Sequence, residues 1–341
     1  MSSGVMQLAA TPDAVAPDPS RHVNYTFGML LGVDDFKQEF AYLAGRDQWM
    51  ARDLIGYGTI SGLKVSLDVA VKGPRVSVSC GDALSPKGQM IRVCPSQCAY
   101  LNDWLTANQA AVQAALNTSP PSSMIKLWLT LCYRDCPVDP VPIAGEPCRS
   151  ADDLMAPSRL VDDFRLELRL SPPMQQEEDA IRDFVLWLDQ IQITDAPGNF
   201  PTLKQFEDAL RAAVVTTSSP INPATYFQFG SPLNLFHIHP AQIGDYLKSA
   251  FRIWVTEIRP QFHSGWSSAS CSCSGETSQT MPPEDCLMLA EVDIPLVNVG
   301  PGQNWQVDGT KATTLDESQR PILLHTRLLQ EWMQSGLRGG K

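Results

Sequence analysis

The chain has 341 residues, 43% hydrophobic and 18% charged, which is material for a real core and length for about two domains. Its 26 basic and 37 acidic residues give a formal charge of −11 with no cluster of Lys or Arg, which argues against nucleic acid or an anionic lipid surface as a partner. No run approaches the ~18 apolar residues of a membrane span, and Met1–Ser20 lacks the basic and apolar regions of a signal peptide. The expectation is therefore a cytosolically made protein that does not span a membrane.

In chain order, residues 1–20 read as a flexible, proline-dotted tail. Tyr25–Leu31 is a short apolar segment, after which Asp35 is placed to cap a helix with Gln38 at the capping-box position. Phe36, Phe40, Leu43 and Met50 follow at helical spacing, opposite Lys37, Glu39, Arg46 and Asp53. The simplest reading of that stripe is burial against a core, with a partner groove second. The helix stops before Gly56-Tyr57-Gly58, and the pattern changes to strands. Thr59–Leu63 leads into Lys64–Val71 with alternating Val65, Leu67, Val69 and Val71; Lys72-Gly73-Pro74 turns the chain, and Val76 and Val78 resume the alternation. Ala83-Leu84 and Met90–Val93 flank a Pro86-Lys87-Gly88 turn as a second hairpin.

A helix begins at Asn102 or Asp103 with Trp104, Leu105, Val112 and Leu116 inward, and ends at Ser119-Pro120-Pro121. Ile125–Tyr133 is a strand, Pro137–Pro147 a proline-rich loop and Phe164–Leu170 a partnering strand. Three helices follow at Glu177–Ile191, Thr202–Val214 and Pro240–Pro260; then come a Ser-rich loop (Ser264–Pro283), a strand (Leu287–Leu296) and a closing helix (Leu323–Met333). The fold class is α+β: an N-terminal helix and an antiparallel sheet or sandwich core with an inserted helical subdomain. The divisions fall at 1–20 (tail), 21–171 (helix and β core), 172–262 (helical insertion), 263–283 (mobile Ser/Cys loop) and 284–341 (strands and helix returning to the core).

No Walker loop, dinucleotide-binding glycine pattern, zinc-protease helix or serine elbow is present, so no catalytic residue and no cofactor is assigned. The nine cysteines, an odd number, point to mostly reduced thiols. Cys94/Cys98 and Cys132/Cys136 share a three-residue gap that fits buried small hydrophobes better than a zinc tetrathiolate. His237 and His239 would share one face of a strand, yet only Asp245 lies near as a third ligand, so a local turn before Pro240 is preferred and no metal is assigned. Asp34-Asp35 and Asp162-Asp163 flank regular elements, where neighbouring carboxylates do not converge on one substrate atom. Capping or solvation suits the first pair.

Residues 21–65 read RHVNYTFGMLLGVDDFKQEFAYLAGRDQWMARDLIGYGTISGLKV. Gly28, Met29, Leu30, Leu31, Asp35, Phe36, Glu39 and Tyr42, followed by Gly56, Gly58, Gly62 and Leu63, resemble the helix and sheet-start blocks of a family encoded with extracellular contractile injection systems, the phage-tail-like particles. Gly81-Asp82-Ala83-Leu84 with Gly88 is similar to its next hairpin, with Ser85 where an Asp is common. Leu127–Tyr133, Pro157-Ser158-Arg159, Pro283–Pro295 and Arg320–Arg327 continue the resemblance, which is weakest over residues 172–280. These blocks carry turn glycines (Gly28, Gly56, Gly58, Gly62, Gly81, Gly88) and a packing helix (Phe36, Phe40, Leu43, Met50), and so specify shape more than reaction.

The resemblance implies a structural part of the baseplate, or of a cage-like shell around the spike, made in the bacterial cytoplasm. Its implied partners are other baseplate, spike or sheath-tube subunits, in a particle either released or membrane-anchored, and cyclic assembly with sixfold-related symmetry follows from the tail's symmetry. Two other classes compete. One is a receptor- or glycan-binding module using Trp49, Trp128, Trp187, Trp254, Trp266, Trp305 and Trp332 as stacking surfaces; the other is an injected cargo protein.

Overall fold

The computed structural model describes residues 17–70, 73–117, 123–142, 155–195, 201–214, 237–261, 285–300 and 304–338. Helix α1 (Val33–Met50) opens the ordered elements and is continued by one wide turn, Ala51–Ile55, to Gly56. Its start lies three residues earlier than the sequence places it: Gly32 is the cap position and Asp35 caps from inside the first turn, its carboxylate accepting from the Gly32 N–H at 2.8 Å. Gln38 closes no capping box. Its amide donates to the Asp18 and Arg21 carbonyls, each at 2.6 Å, and pins the preceding segment to the helix.

Short strands then alternate between two small antiparallel sheets. β1 (Gly58–Gly62), β4 (Gly81–Leu84) and β5 (Met90–Val93) form one, in that order; β2 (Val65–Ala70), β3 (Gly73–Val78) and β6 (Gln97–Tyr100) form the other. The predicted hairpins are present, with Val65, Val76, Val78, Ala83, Ile91 and Val93 buried. Val69 departs from the alternation by standing in solvent at the end of β2. Strand β6 carries too few apolar residues to be seen by periodicity. The single helix expected after it is two, α2 (Leu101–Ala107) and α3 (Gln109–Leu116), broken at Asn108, whose side-chain amide donates to the Trp104 carbonyl at 2.8 Å. Such side-chain bonds offer the backbone an alternative to continuing the helix.

The largest sheet has the order β12-β11-β7-β8, from Trp305–Val307, Cys286–Asn298, Met124–Pro142 and Met155–Arg169, with β13 (Thr314–Asp316) also on β11. Buried Leu127, Leu129, Leu131, Leu287, Leu289 and Val292 face Leu63, Val76, Ile91, Leu101, Leu105 and Val112 in one core. One expectation fails in this sheet and another, that the thiols are mostly reduced, is narrowed. The Pro137–Pro147 stretch is strand as far as Pro142, because Pro137 to Pro142 stay in register with β8 from Leu160 to Met155; residues 143–147 lie outside the described ones. The thiols are not all reduced either: Cys132 and Cys286 face each other directly across β7 and β11 and are joined as a disulfide, 154 residues apart in sequence. Cys80, Cys94, Cys98 and Cys136 are free thiols, the first three exposed.

A second core belongs to α4 (Gln176–Asp189), α5 (Leu203–Ala213) and α6 (Ile243–Ile253), with a two-residue parallel pairing of β9 (Gln192–Ile193) and β10 (His237–Ile238). Phe184, Trp187, Phe206, Leu210, Tyr246 and Ile253 fill it, and Phe206 meets Tyr246 edge-on at 5.1 Å. Thr202 caps α5, its hydroxyl accepting from the Gln205 N–H while Gln205 Oε1 accepts from the Thr202 N–H. The predicted helix from Pro240 to Pro260 is α6 with a short 3-10 turn before it and a wide and a 3-10 turn after it. α7 (Thr326–Arg338) ends the described chain. The molecule is thus mixed α+β, an N-terminal helix followed by an antiparallel β core. No helix among the described residues is long and apolar enough to cross a membrane. The Ser264–Pro283 loop, residues 1–16 of the tail, and Cys148, His263, Trp266, Cys271 and Cys273 lie outside the described residues.

Candidate assembly surface

Along α1 and the wide turn after it the apolar residues Val33, Phe36, Phe40, Leu43, Met50 and Leu54 recur three and four apart, with Asp47 at the one polar step. That spacing makes a narrow seam of the kind one helix offers another. Burial against this molecule's own core, the simplest expectation for it, does not occur: Phe36 is 61% exposed, Phe40 73%, Leu43 55% and Met50 43%. The only buried residue of the helix is Gly45.

The reason is that α1 packs by its other face, which is small and polar. A Cβ on Gly45 would sit 2.5 Å from the Pro19 Cβ, so the tail segment lies directly on the helix there. The segment is tied down further by Gln38 and by Glu39, which accepts from the Val23 N–H at 3.0 Å. Gly88, with φ +84°, brings the β4–β5 turn so close that a Cβ would lie 2.2 Å from the Gln48 carbonyl oxygen. Arg52, buried one turn later, pairs with Asp53 at 2.7 Å. Contacts that fix the helix thus use backbone, glycine and polar groups, and the phenylalanines are left facing out.

The remaining glycines set the corner where α1 gives way to the sheet. Gly62 (φ +63°) would place a Cβ 2.2 Å from the Cys80 carbonyl, and Gly81 one 2.3 Å from the Ser61 carbonyl, so β1 and β4 cross in near backbone contact. At Gly58 a Cβ would meet Pro321 at 2.8 Å, and at Gly56 the Leu323 side chain at 3.5 Å. Gly28 is different: its turn is open, with nothing near a Cβ. Pro321–Leu323 runs along β1, the Thr59 N–H donating to the Pro321 carbonyl (2.9 Å) and the Leu323 N–H to the Thr59 carbonyl (2.8 Å). α7 leaves from this corner. Leu328, Leu329, Trp332 and Met333 on it are exposed, as are Leu54, Ile55, Ile60, Ile322 and Leu324 around its base. Exposed apolar side chains in this number make the two helices the candidate assembly surface.

The other residues singled out in the sequence are placed elsewhere. His239 is a helix cap, Nδ1 accepting from the Ala241 N–H at 3.2 Å, while His237 sits on β10 beside Gln192. Asp162 accepts from the Tyr133 hydroxyl (2.7 Å) and Asp163 pairs with Arg134 across β7 and β8. Among the described residues no group of three or more His, Cys, Asp or Glu is arranged to hold a metal ion. Trp187 is buried in the helical core and the Trp305 indole donates to Gln113 at 2.8 Å; Trp49 and Trp332 are exposed.

Two features escaped the sequence. A cleft of about 550 Å³ opens between the sheets, lined by Val76, Leu129, Leu166, Leu168 and Trp104 with Glu167 at its rim; Arg165 and Arg169 hold that carboxylate at 2.8 and 2.9 Å. The second is the junction of the helical core with the rest. There Arg259 donates to Glu177 (2.8 Å) and to the Asp53 carbonyl (2.9 Å), and Gln175 accepts from the Met288 N–H (2.9 Å). Burial pushes the Glu178 carboxyl up to about 7, helped by Glu177, and pushes Asp179 up to about 6 against the pull of Arg182. The Tyr57 hydroxyl, also raised by burial, hydrogen-bonds the Glu178 backbone amide. Nothing in the sequence pairs Tyr57 with Glu178 beforehand.

No protein-family model matches the sequence, and no curated protein matches it. Among solved structures the chain is similar to the crystal structure of TssK, with 12% identity and a TM-score of 0.23 over 72% of this chain and 56% of that one. The chain therefore spans just over half the length of that protein, and a common fold does not follow from a score at this level.

Proposed function

We propose that this protein is a structural subunit of a contractile, phage-tail-like injection particle, placed in the baseplate or in a shell around the spike, and that it acts by protein–protein assembly without catalysis. The observation that carries the reading is the inverted packing of α1: its glycine and polar face is docked and its phenylalanine seam is presented to solvent. Transfer of each such side chain out of water is worth about 1.5–3 kcal/mol, a gain that a partner subunit would supply. The stretch that builds this seam is also the one whose residues resemble the injection-system family. The buried apolar residues and turn glycines, in contrast, serve shape.

The test is to tag the chain in its native host and purify large particles by sedimentation. The tagged protein is expected to sediment with sheath and tube proteins, and a strain lacking it is expected to yield particles without intact baseplates. Phe36→Asp/Phe40→Asp should give a protein that melts like wild type and is absent from the particles. A deletion strain whose particles assemble and fire normally would refute the reading.

A further inference from the structure

Cys80 and Cys94 stand one step beyond the last register pair of the β4–β5 hairpin, Gly81 opposite Val93. We infer that they are a redox modification site: two surface thiols, opposite each other across an antiparallel pair, that close into a disulfide when a low-molecular-weight disulfide oxidises them and reopen in excess thiol. This inference stands apart from the assembly reading above.

The hydrogen-bonding phase of the hairpin puts the pair where a bridge fits. The Ser85 N–H donates to the Gln89 carbonyl at 2.8 Å, which makes 85 and 89 a hydrogen-bonded pair. Such pairs alternate with non-hydrogen-bonded ones along an antiparallel ladder. The register runs without a shift from Leu84–Met90 to Gly81–Val93, so 83/91 and 81/93 are of the first kind, and 82/92 and 80/94 of the second. At the second kind the Cα atoms approach to about 4.5 Å, inside the range of about 4.4–6.8 Å that a disulfide spans. The neighbouring pair on the same face shows that side chains meet there: Arg92 Nε lies 2.8 Å from Asp82 Oδ1. The opposite face is core, with Ala83, Ile91 and Val93 buried, and Cys80 and Cys94 are accordingly exposed, free thiols. The molecule already joins one pair placed this way, Cys132 and Cys286, directly opposite across β7 and β11.

Cys80 is the attacking thiol. The Ser96 hydroxyl, 3.5 Å from its Sγ, pulls it below the ordinary thiol value, and the Cys94 side chain adds a smaller pull. More of Cys80 is then thiolate, the form that attacks in exchange. Its thiolate attacks one sulfur of the oxidant, forming a mixed disulfide and expelling one thiolate. The Cys94 thiolate next attacks Cys80 Sγ, closing the bridge and expelling the second. Two electrons pass to the oxidant, whose halves leave as thiols carrying the two protons. Among the described residues no third His, Cys, Asp or Glu joins the pair in a metal-binding group, so the site is a dithiol. Cys98 sits on β6 opposite Ser77 and lines the cleft between the sheets. A closed bridge would fasten the hairpin whose Gly88 turn lies against Gln48 of α1.

The experiment equilibrates the full-length chain in glutathione buffers of rising oxidised-to-reduced ratio, quenches with acid, alkylates, and digests with trypsin. Lys87 and Arg92 lie between the two cysteines, so the digest separates them unless they are bridged. Mass spectrometry without reductant should find the Cys80 and Cys94 peptides joined in most of the oxidised protein, and free again once the ratio is reversed. The Cys94 peptide also carries Cys98, so two variants assign the bond: Cys98→Ser should leave the joined fraction unchanged, and Cys94→Ser should abolish it. Joining of Cys80 to Cys98 or to a second chain would overturn the inference. So would glutathione carried separately on each thiol, or a pair that stays reduced throughout the series.

Discussion

The sheet core and the N-terminal helix use the same kinds of residue to opposite ends. Leu127, Leu131 and Leu287 alternate along strands and are fully buried; Phe36, Phe40 and Leu43 recur on a helix with equal regularity and stand in water. Periodicity therefore tells which face of an element is apolar, but not whether the cover for that face lies in the same chain. On α1 the deciding information sits on the opposite face, where Gly45 and the Gly88 turn admit backbone so closely that the helix has no freedom to turn its phenylalanines inward.

That contrast can be broken most forcefully at its hinge. Gly62→Val puts a β-branched side chain at φ +63° and into the Cys80 carbonyl, and a loss of about 4 kcal/mol or more is expected, read as vanishing soluble yield or a collapsed melting temperature. An unchanged melt would mean that the close crossing of β1 and β4 is not required. Leu131→Ala, in the shared core, should cost about 3 kcal/mol in denaturant unfolding. Replacing Cys132 and Cys286 together by Ala should cost about 2 kcal/mol, since the bridge closes a long loop; an equal midpoint with and without reductant in the unaltered protein would show that the bridge adds nothing.

The junction gives a smaller, pH-dependent effect. Glu178 in the folded protein keeps its proton up to about 7, and Asp179 up to about 6, whereas the unfolded chain releases both near 4 to 4.5. Between those limits the folded state binds more protons, so stability should fall as pH rises from about 4.5 to about 7. Glu178→Gln should flatten that slope in thermal melts taken across the window; a slope that survives the change would assign it to other groups. The smallest change is the most informative. Phe40→Ala should alter monomer stability by no more than about 0.5 kcal/mol while weakening assembly, the reverse of Leu131→Ala. A core-sized loss at Phe40 would place its partner within the same molecule.

Much of the fold could be read from residues 56–94, where strand alternation and turn glycines agree, and from the three amphipathic helices between 176 and 258. What could not be read depends on contacts distant in sequence. β6 is recruited by pairing of Ser77 with Cys98, not by its own apolar residues; Cys132 is oxidised because β11 brings Cys286 opposite it 154 residues later. The proline-rich stretch stays extended because β8 supplies a partner. The seam itself was legible as a stripe, but its exposure was not, since the small residues that decide it, Pro19, Gly45 and Gly88, carry no apolar signal.

The far half of the β7–β8 hairpin bears on how this chain meets its neighbours. Beyond Tyr133, β7 is paired, among the described residues, with β8 alone, and backbone left unpaired along a ribbon is a surface that ordinarily recruits foreign strands. Prolines 137, 140, 142 and 157 remove donors from those margins, and Arg134 with Asp163 and Arg159 with Asp139 stud the ribbon with charge. Amyloid-like stacking is discouraged at the place most exposed to it. Recruitment is left to side chains, which can distinguish one neighbour from another, and withheld from main chain, which cannot.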